Sequence, residues 1–337
     1  MKKLILSSAA TAVVLAASAG LSFAQSRDTI QIAGSSTVLP FASIVAEEFN
    51  GAFPEFKAPV VASGGTGGGL KQFCSGVGEN TIDIANASRP IKDSETEACE
   101  KAGVTDIREI QFGFDGIVFA SSASKADFAL TPEQIFKATA AQVPVDGKLA
   151  ANPYKNWSEI DSSLPDQPIA LAIPASNHGT REVFEERVMH PGCEAAELPA
   201  DAGEDACTAV RQDVVVEIAG DYTETLARLN ANADTVGVFG LSFYDQNRDK
   251  LKVATIDGVT PSAETVAGGE YPVSRPLFFY VKGQHIGQIP GLEEYVEFFL
   301  SEQMAGAGGA LENAGLIAQP AEKTAEVLEA FKAGPKS

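Results

Sequence analysis

Three short stretches place glycine and hydroxyl residues where an apolar run gives way to a helical pattern. They are Gly34-Ser35-Ser36-Thr37, the run Gly64 to Gly69, and Ser176-Asn177-His178-Gly179-Thr180. The chemistry of such turns is anion binding. A helix start leaves backbone N–H groups unpaired and carries partial positive charge. Glycine lets an oxyanion approach the backbone, and Ser or Thr adds a hydroxyl donor at the same height. Three such ends converging on one point would hold a tetrahedral oxyanion. Each turn alone reads as well as an ordinary N-cap; three in one chain, one of them saturated with glycine, bring the two readings level. Charge stands beside these turns. Arg89 lies in Ala87-Ser88-Arg89-Pro90, and Arg181 follows Thr180. A cation at a helix N-terminus opposes the dipole. Arg181 therefore reads either as the partner of an anion or as half of an i,i+4 pair with Glu185.

Other chemistries fail at the level of motif. A P-loop needs Lys directly after its last Gly; here Leu70 intervenes and Lys71 is followed by Gln72. The glycine run does not complete G-x-G-x-x-G, and no G-x-S-x-G elbow occurs. His178 is a possible base beside a serine, but no motif places a nucleophile or a metal. The chain is accordingly expected not to be an enzyme and to need no cofactor or metal. The cysteines are Cys74, Cys99, Cys193 and Cys207. Zinc is a weak reading, since no C-x-x-C or H-x-x-x-H spacing exists. In an exported chain an even count favours disulfides. Three pairings are possible; short loop closure favours Cys74–Cys99 with Cys193–Cys207.

The elements that must position these turns alternate. Strands are expected at Thr29–Ile32, Pro59–Ala62, Ile82–Ala85, Ile107–Phe112, Ile117–Ala120, Ile169–Ile173, Val214–Ile218, Thr235–Phe239, Leu251–Ile256 and Leu277–Val281. Helical spacing follows several of them, as in Phe41, Ile44, Val45 and Phe49, and in Thr180–Met189. Thr131-Pro132-Glu133-Gln134 reads as a helix start. The alternation predicts α/β architecture with mainly parallel sheets, in which ligands sit at the carboxyl ends of strands.

Lys2 and Lys3, the apolar run Leu4 to Ala17, and Ser22-Phe23-Ala24 predict an export signal cleaved after Ala24. Nothing later approaches the ~20 apolar residues of a membrane span. Removing 24 residues from 337 leaves 313, enough for two domains. The net charge of −20 becomes −22 without Lys2 and Lys3. Such acidity excludes nucleic acid as a partner and serves solubility. It also means that any anion site must win locally, through hydrogen bonds and one or two arginines.

Several of these stretches together resemble a known family. Ala33-Gly34-Ser35-Ser36-Thr37-Val38, Gly64–Gly69 with Leu70-Lys71-Gln72, Asp83-Ile84-Ala85-Asn86-Ala87-Ser88-Arg89-Pro90, Phe114-Asp115-Gly116-Ile117, Gly179-Thr180-Arg181 and Tyr271-Pro272-Val273-Ser274-Arg275-Pro276-Leu277 are similar, in this order, to the periplasmic phosphate-binding protein of the bacterial phosphate ABC importer. The resemblance runs from about Ile30 to the C-terminal helices. It implies a periplasmic-binding-protein type II fold: two α/β lobes joined by two crossing segments, near Gly113–Ala120 and Ser274–Tyr280, with a ligand cleft between them. Lobe 1 would comprise 25–115 with 275–337, and lobe 2 116–274. The protein would be a periplasmic monomer that carries inorganic phosphate to the permease subunits at the inner membrane, closing by hinge motion. By position the phosphate site would take Ser36, Thr37, Val38, Thr66, Gly67, Ser88, Arg89, His178, Gly179, Thr180 and Arg181. The chain departs from the best-known branch at Ser88, where a carboxylate is usual, at Pro174, where an arginine is usual, and at His178, where a small hydroxyl is usual. The cationic role is then expected of Arg181 and Arg89. Asp115, beside the first crossing, is expected to replace the missing acceptor, ionised and paired with one of them. Alternatives of the same fold are binders of sulfate, molybdate or phosphonate. A secreted phosphatase, or a regulatory or adhesive protein that kept only the fold, is the more distant alternative.

Overall fold

The computed structural model describes residues 27–176, 179–199, 202–203 and 205–334. The expected leader and His178 lie outside them. The elements that build the cleft are β1 (Gln31–Gly34), α1 (Leu39–Ala52), β2 (Val60–Ser63), α2 (Gly65–Phe73), β3 (Ile84–Ala87), α3 (Asp93–Lys101), β4 (Ile107–Ser122), β5 (Leu171–Pro174), α4 (Gly179–Phe184), β6 (Val215–Ile218), α5 (Tyr222–Ala231), β7 (Val236–Gly240), β8 (Ser274–Lys282), α6 (Leu292–Phe299) and α7 (Ala321–Ala333). Their strands run in the order β2-β1-β3-β8-β4-β7-β5-β6, and Leu251–Val253 pairs with the far end of β4.

Two long strands carry this arrangement. β4 pairs antiparallel with β8 from Ile107 to Gly116, then with β7 from Ile117 to Ala120. It is one strand of 16 residues, not the two expected from the break at Gly113 and Gly116. The glycines answer to packing instead: a Cβ on Gly113 would stand 2.8 Å from the Ile317 carbonyl oxygen and from Leu316 Cδ1. The sheet is also less parallel than the alternation suggested. β1/β2, β1/β3, β7/β5 and β5/β6 are parallel, whereas β3/β8, β8/β4 and β4/β7 are antiparallel. The centre is therefore a crossing, with a parallel half-sheet on each side.

Side-chain alternation along β8 separates two cores of the first half. Leu277, Phe279 and Val281 face one way, onto Phe41, Phe49 and Phe299 of α1 and α6. Phe278 and Tyr280 face the other way, onto Leu70, Phe73 and Cys99 of α2 and α3. A strand buried on both faces loses the polar alternation of a half-exposed one, which is why Leu277–Val281 reads as continuous apolar sequence. The third core is separate. It draws on Ile117–Ala120 of β4, on residues 128–273 and on Ile317.

The strand-to-helix turns are shaped by close approach. Gly34 has φ +144°, and a Cβ there would lie 2.2 Å from the Asn86 carbonyl oxygen. A Cβ on Gly69 would lie 2.4 Å from Gly34 Cα. These two glycines let α2 lie directly on β1, bringing the first two turns side by side. Gly67 and Gly68 have open space at the Cβ position.

Both expected disulfides are present. Cys74–Cys99 joins the end of α2 to α3, and Cys193–Cys207 closes a second, shorter loop. Cys74 and Cys99 are buried in the α2/α3 core, so this bridge is part of the core. With sequence separations of 25 and 14 residues, the loop-entropy relation gives about 3 kcal/mol for each bridge. Replacing either pair by serine is predicted to lower the unfolding free energy by about that amount. The larger loss is expected for Cys74–Cys99, where buried hydroxyls would also need partners. Chemical denaturation checks this, and equal stability of the Cys74/Cys99 variant would contradict it.

Candidate functional site

The turn after β1 does not cap its helix by side chain. Val38 is the N-cap residue of α1 and makes no side-chain cap bond; its side chain is buried in the core. Ser36 is exposed. The Thr37 hydroxyl, buried, is free to point across the cleft. It donates to Glu182 Oε2 on α4 at 2.8 Å and accepts from Arg275 Nη2 at 2.6 Å.

Arg275 is the centre of this region. It lies one residue into β8, opposite Asp115 of β4 in the ladder. Its exposure is 1%. Its Nη1 donates to Glu186 Oε2 at 2.8 Å, and its Nη2 lies 3.3 Å from Glu182 Oε2. Its Nε stands 3.8 Å from Asp115 Oδ2, too far for a hydrogen bond, and neither atom has another partner. Burial pushes the Asp115 carboxyl above the usual range; Arg275 pulls it down, Glu182 pushes it up, and the Gly116 N–H pulls it down.

Thr37, Asp115 and Thr180 line one cavity of about 220 Å³, together with Phe41, Tyr222 and Gly240. The two threonines come from the two halves of the sheet. Thr180 Oγ1 makes no well-formed hydrogen bond, although the hydroxyl of the partly buried Tyr222 stands close enough to feel it. Burial raises the Tyr222 pKa, so its hydroxyl is a neutral donor there.

The remaining expected residues are placed differently. Thr66, in the first turn of α2, is buried and pairs with Ser88: its Oγ1 accepts from the Ser88 N–H and lies 3.1 Å from the Ser88 hydroxyl. That pair does not line the cavity of Thr37 and Asp115. Gly67 is exposed, and Gly179 opens α4.

The two arginines expected to be cationic are both paired with carboxylates. Arg89 forms a two-pronged bond with Glu95, at 2.9 and 2.8 Å. Arg181 is buried and satisfied by Glu185 at 2.7 Å, by Glu217, and by the Pro174 carbonyl. It is the i,i+4 alternative that Arg181 adopts, because α4 turns its guanidinium toward β5 and β6. Asp115 consequently faces Arg275, not Arg181 or Arg89. The signal for Arg275 was a lone cation inside an apolar, Pro-flanked strand, Ser274-Arg275-Pro276-Leu277-Phe278-Phe279. Asp83, just before β3, is structural. It accepts from Arg27 and the Gln31 N–H and pairs with His285. Among the described residues no group of three or more His, Cys, Asp or Glu side chains is arranged to hold a metal ion, and no helix is long and apolar enough to cross a membrane.

Comparison with known proteins adds the following. The PBP superfamily domain matches residues 22–303. The phosphate-binding protein PstS of Staphylococcus haemolyticus is 32% identical over 300 residues, covering 86% of this chain and 81% of its own. Protein SphX of Synechococcus elongatus is 31% identical over 305 residues, covering 89% and 80%. The crystal structure of a possible phosphate binding protein from Planctomyces limnophilus superimposes with a TM-score of 0.71 at 30% identity, covering 91% of this chain and 98% of that one.

The state of Asp115 has a consequence for stability. A carboxyl whose folded pKa is raised holds its proton more tightly in the folded chain than in the unfolded one. Its favourable contribution is full below the ordinary value of 3.8 and is lost as pH rises through the raised value. Ligand-free Asp115→Asn is therefore predicted to melt higher than wild type at pH 7, and the two curves to converge toward pH 4. Thermal melting across pH checks this; a variant that melts lower at pH 7 would show that the ionised pair with Arg275 outweighs burial.

Proposed function

The chain belongs to the PBP superfamily, and on that footing we propose that it binds inorganic phosphate and delivers it to an ABC importer. The relatives named for phosphate binding support the ligand class. The observation that carries the reading is the convergence of Thr37, Thr180 and Asp115 at one cavity, with Arg275 bonded to Thr37 and facing Asp115 behind it. We take lobe 1 as 25–115 with 275–337 and lobe 2 as 116–274. The chain is exported with cleavage after Ala24, acts as a monomer without cofactor or metal, catalyses nothing, and docks in its loaded form on the permease.

The division of labour follows from chemistry. Thr37 and Thr180 are neutral donors to phosphate oxygens from opposite sides. Arg275 supplies the positive charge that the chain's net −20 otherwise denies an anion. Asp115 gives selectivity. At neutral pH phosphate keeps at least one proton and sulfate keeps none. A buried carboxylate that is reluctant to stay charged is a good acceptor for that proton. Against sulfate the same oxygen meets another oxygen and repels it.

Calorimetric titration of ligand-stripped protein with phosphate, arsenate, phosphonates and sulfate tests the reading. Metal-independent heat is predicted with phosphate and little with sulfate; no heat and no thermal shift with phosphate would end it, and a preference for sulfate or phosphonate would reassign the ligand. Arg275→Ala is predicted to weaken phosphate ~10- to 150-fold, the range of one charged hydrogen bond. Arg275→Lys should recover part of the loss by keeping the charge, although not the planar fork. Arg181→Ala should lower stability and leave affinity within about twofold, since its Nε and Nη1 are already bonded to Glu185, Glu217 and the Pro174 carbonyl. Asp115→Asn is predicted to weaken phosphate ~10- to 100-fold and to narrow its margin over sulfate; retention of both would exclude Asp115 as the proton acceptor.

A further inference from the structure

Three carboxylates surround one guanidinium at the cleft. Asp115, Glu182 and Glu186 all reach Arg275. Glu182 and Glu186 come from the other lobe, four residues apart on one face of a helix that runs from α4 into a π-turn at Glu185–Met189. The Oε2 of Glu182 takes hydrogen bonds from the Thr37 hydroxyl and the Arg275 Nη2. These are the two donors that the proposed site offers an oxyanion from the first lobe and the crossing. An anion and the Glu182 carboxylate cannot both hold them. With a single cation present, an entering dianion would also meet a surplus of negative charge.

We infer that Glu182 is an internal competitor: its carboxylate takes the anion's donors, bridges the lobes through them, and sets the affinity by having to be displaced. The inference rests on the phosphate reading of this cleft. Its side chain is suited to the task. Glu182 is 34% exposed and Glu186 51%, while Arg275 is fully enclosed. The glutamates can therefore swing to water when the lobes part, whereas the guanidinium cannot leave. The cation is thus never left bare, and the ligand exchanges one carboxylate contact for another anion in the same place. Asp115 differs in kind. It sits on the crossing strand itself, is buried, and stays with Arg275 whichever anion faces them.

The competitor role and an alternative role as ligand-proton acceptor predict opposite results. Phosphate and sulfate affinities are measured by calorimetry for wild type, Glu182→Ala and Glu182→Gln. Removing a competitor for charged donors is expected to raise phosphate affinity about tenfold in Glu182→Ala, with a smaller gain in Glu182→Gln. The phosphate-to-sulfate ratio should not change, because the competitor excludes every anion alike. A fall in phosphate affinity with a smaller ratio would make Glu182 an acceptor of the ligand's proton and overturn the inference; unchanged affinity would overturn it as well. A second readout does not depend on any ligand. Small-angle scattering of the ligand-free proteins should show Glu182→Ala more open than wild type. If neither protein binds phosphate, the phosphate reading fails by itself. Scattering then still decides the latch, and identical curves would reject it.

Discussion

A guanidinium with 1% exposure must be paired, because an isolated buried ion costs several kcal/mol even after relaxation. Arg275 is such a group, and the cleft is arranged around it. One neighbour on its own sheet, Asp115, faces it without a hydrogen bond. One hydroxyl, Thr37, accepts from it. Two glutamates from the far lobe complete its partners. Among these only the glutamates are exposed enough to withdraw into water. The guanidinium is therefore fixed while the two glutamates beside it stay in reach of water, the arrangement that the proposed capture of an anion by a strongly acidic chain would use.

The crossing strands explain why this group can be held so firmly. β4 and β8 pair over nine consecutive residues of β8, with one irregularity between Leu277 and Phe278. Asp115 and Arg275 sit opposite one another at the end of that ladder, where β4 leaves β8 for β7. The carboxyl and the guanidinium thus belong to the crossing strands, whereas Thr37 follows β1 and Thr180 lies in α4. At Gly113 a side chain would collide with Leu316 and the Ile317 carbonyl, and at Gly116 it would crowd the Ile317 side chain.

Much of this was legible from residues alone. The helix-start turns, the alternation of elements and the favoured disulfide pairing follow from spacing and composition; Thr37, Asp115 and Thr180, pointed to by the family resemblance, do meet at one cavity. What was not legible depends on direction and on distant partners. Arg181 looked like an anion ligand by its place at a helix start. Which way its side chain turns is set by Glu217, 36 residues away. Arg89 is likewise claimed by Glu95 in the next helix. Arg275 was hidden because a charge within Pro-flanked apolar sequence acquires meaning only once β8 is laid beside β4. The single strand Ile107–Ser122 was divided because Gly113 and Gly116 resemble turn residues until their packing is seen.

The structure of the protein crystallised with phosphate tests the account most directly. The account predicts the anion within hydrogen-bond distance of Thr37 Oγ1, the Arg275 guanidinium and an Asp115 oxygen, with the Glu182 carboxylate moved off both donors. Phosphate seated instead on Arg89 or Arg181, with Glu182 still bonded to Thr37 and Arg275, would contradict it.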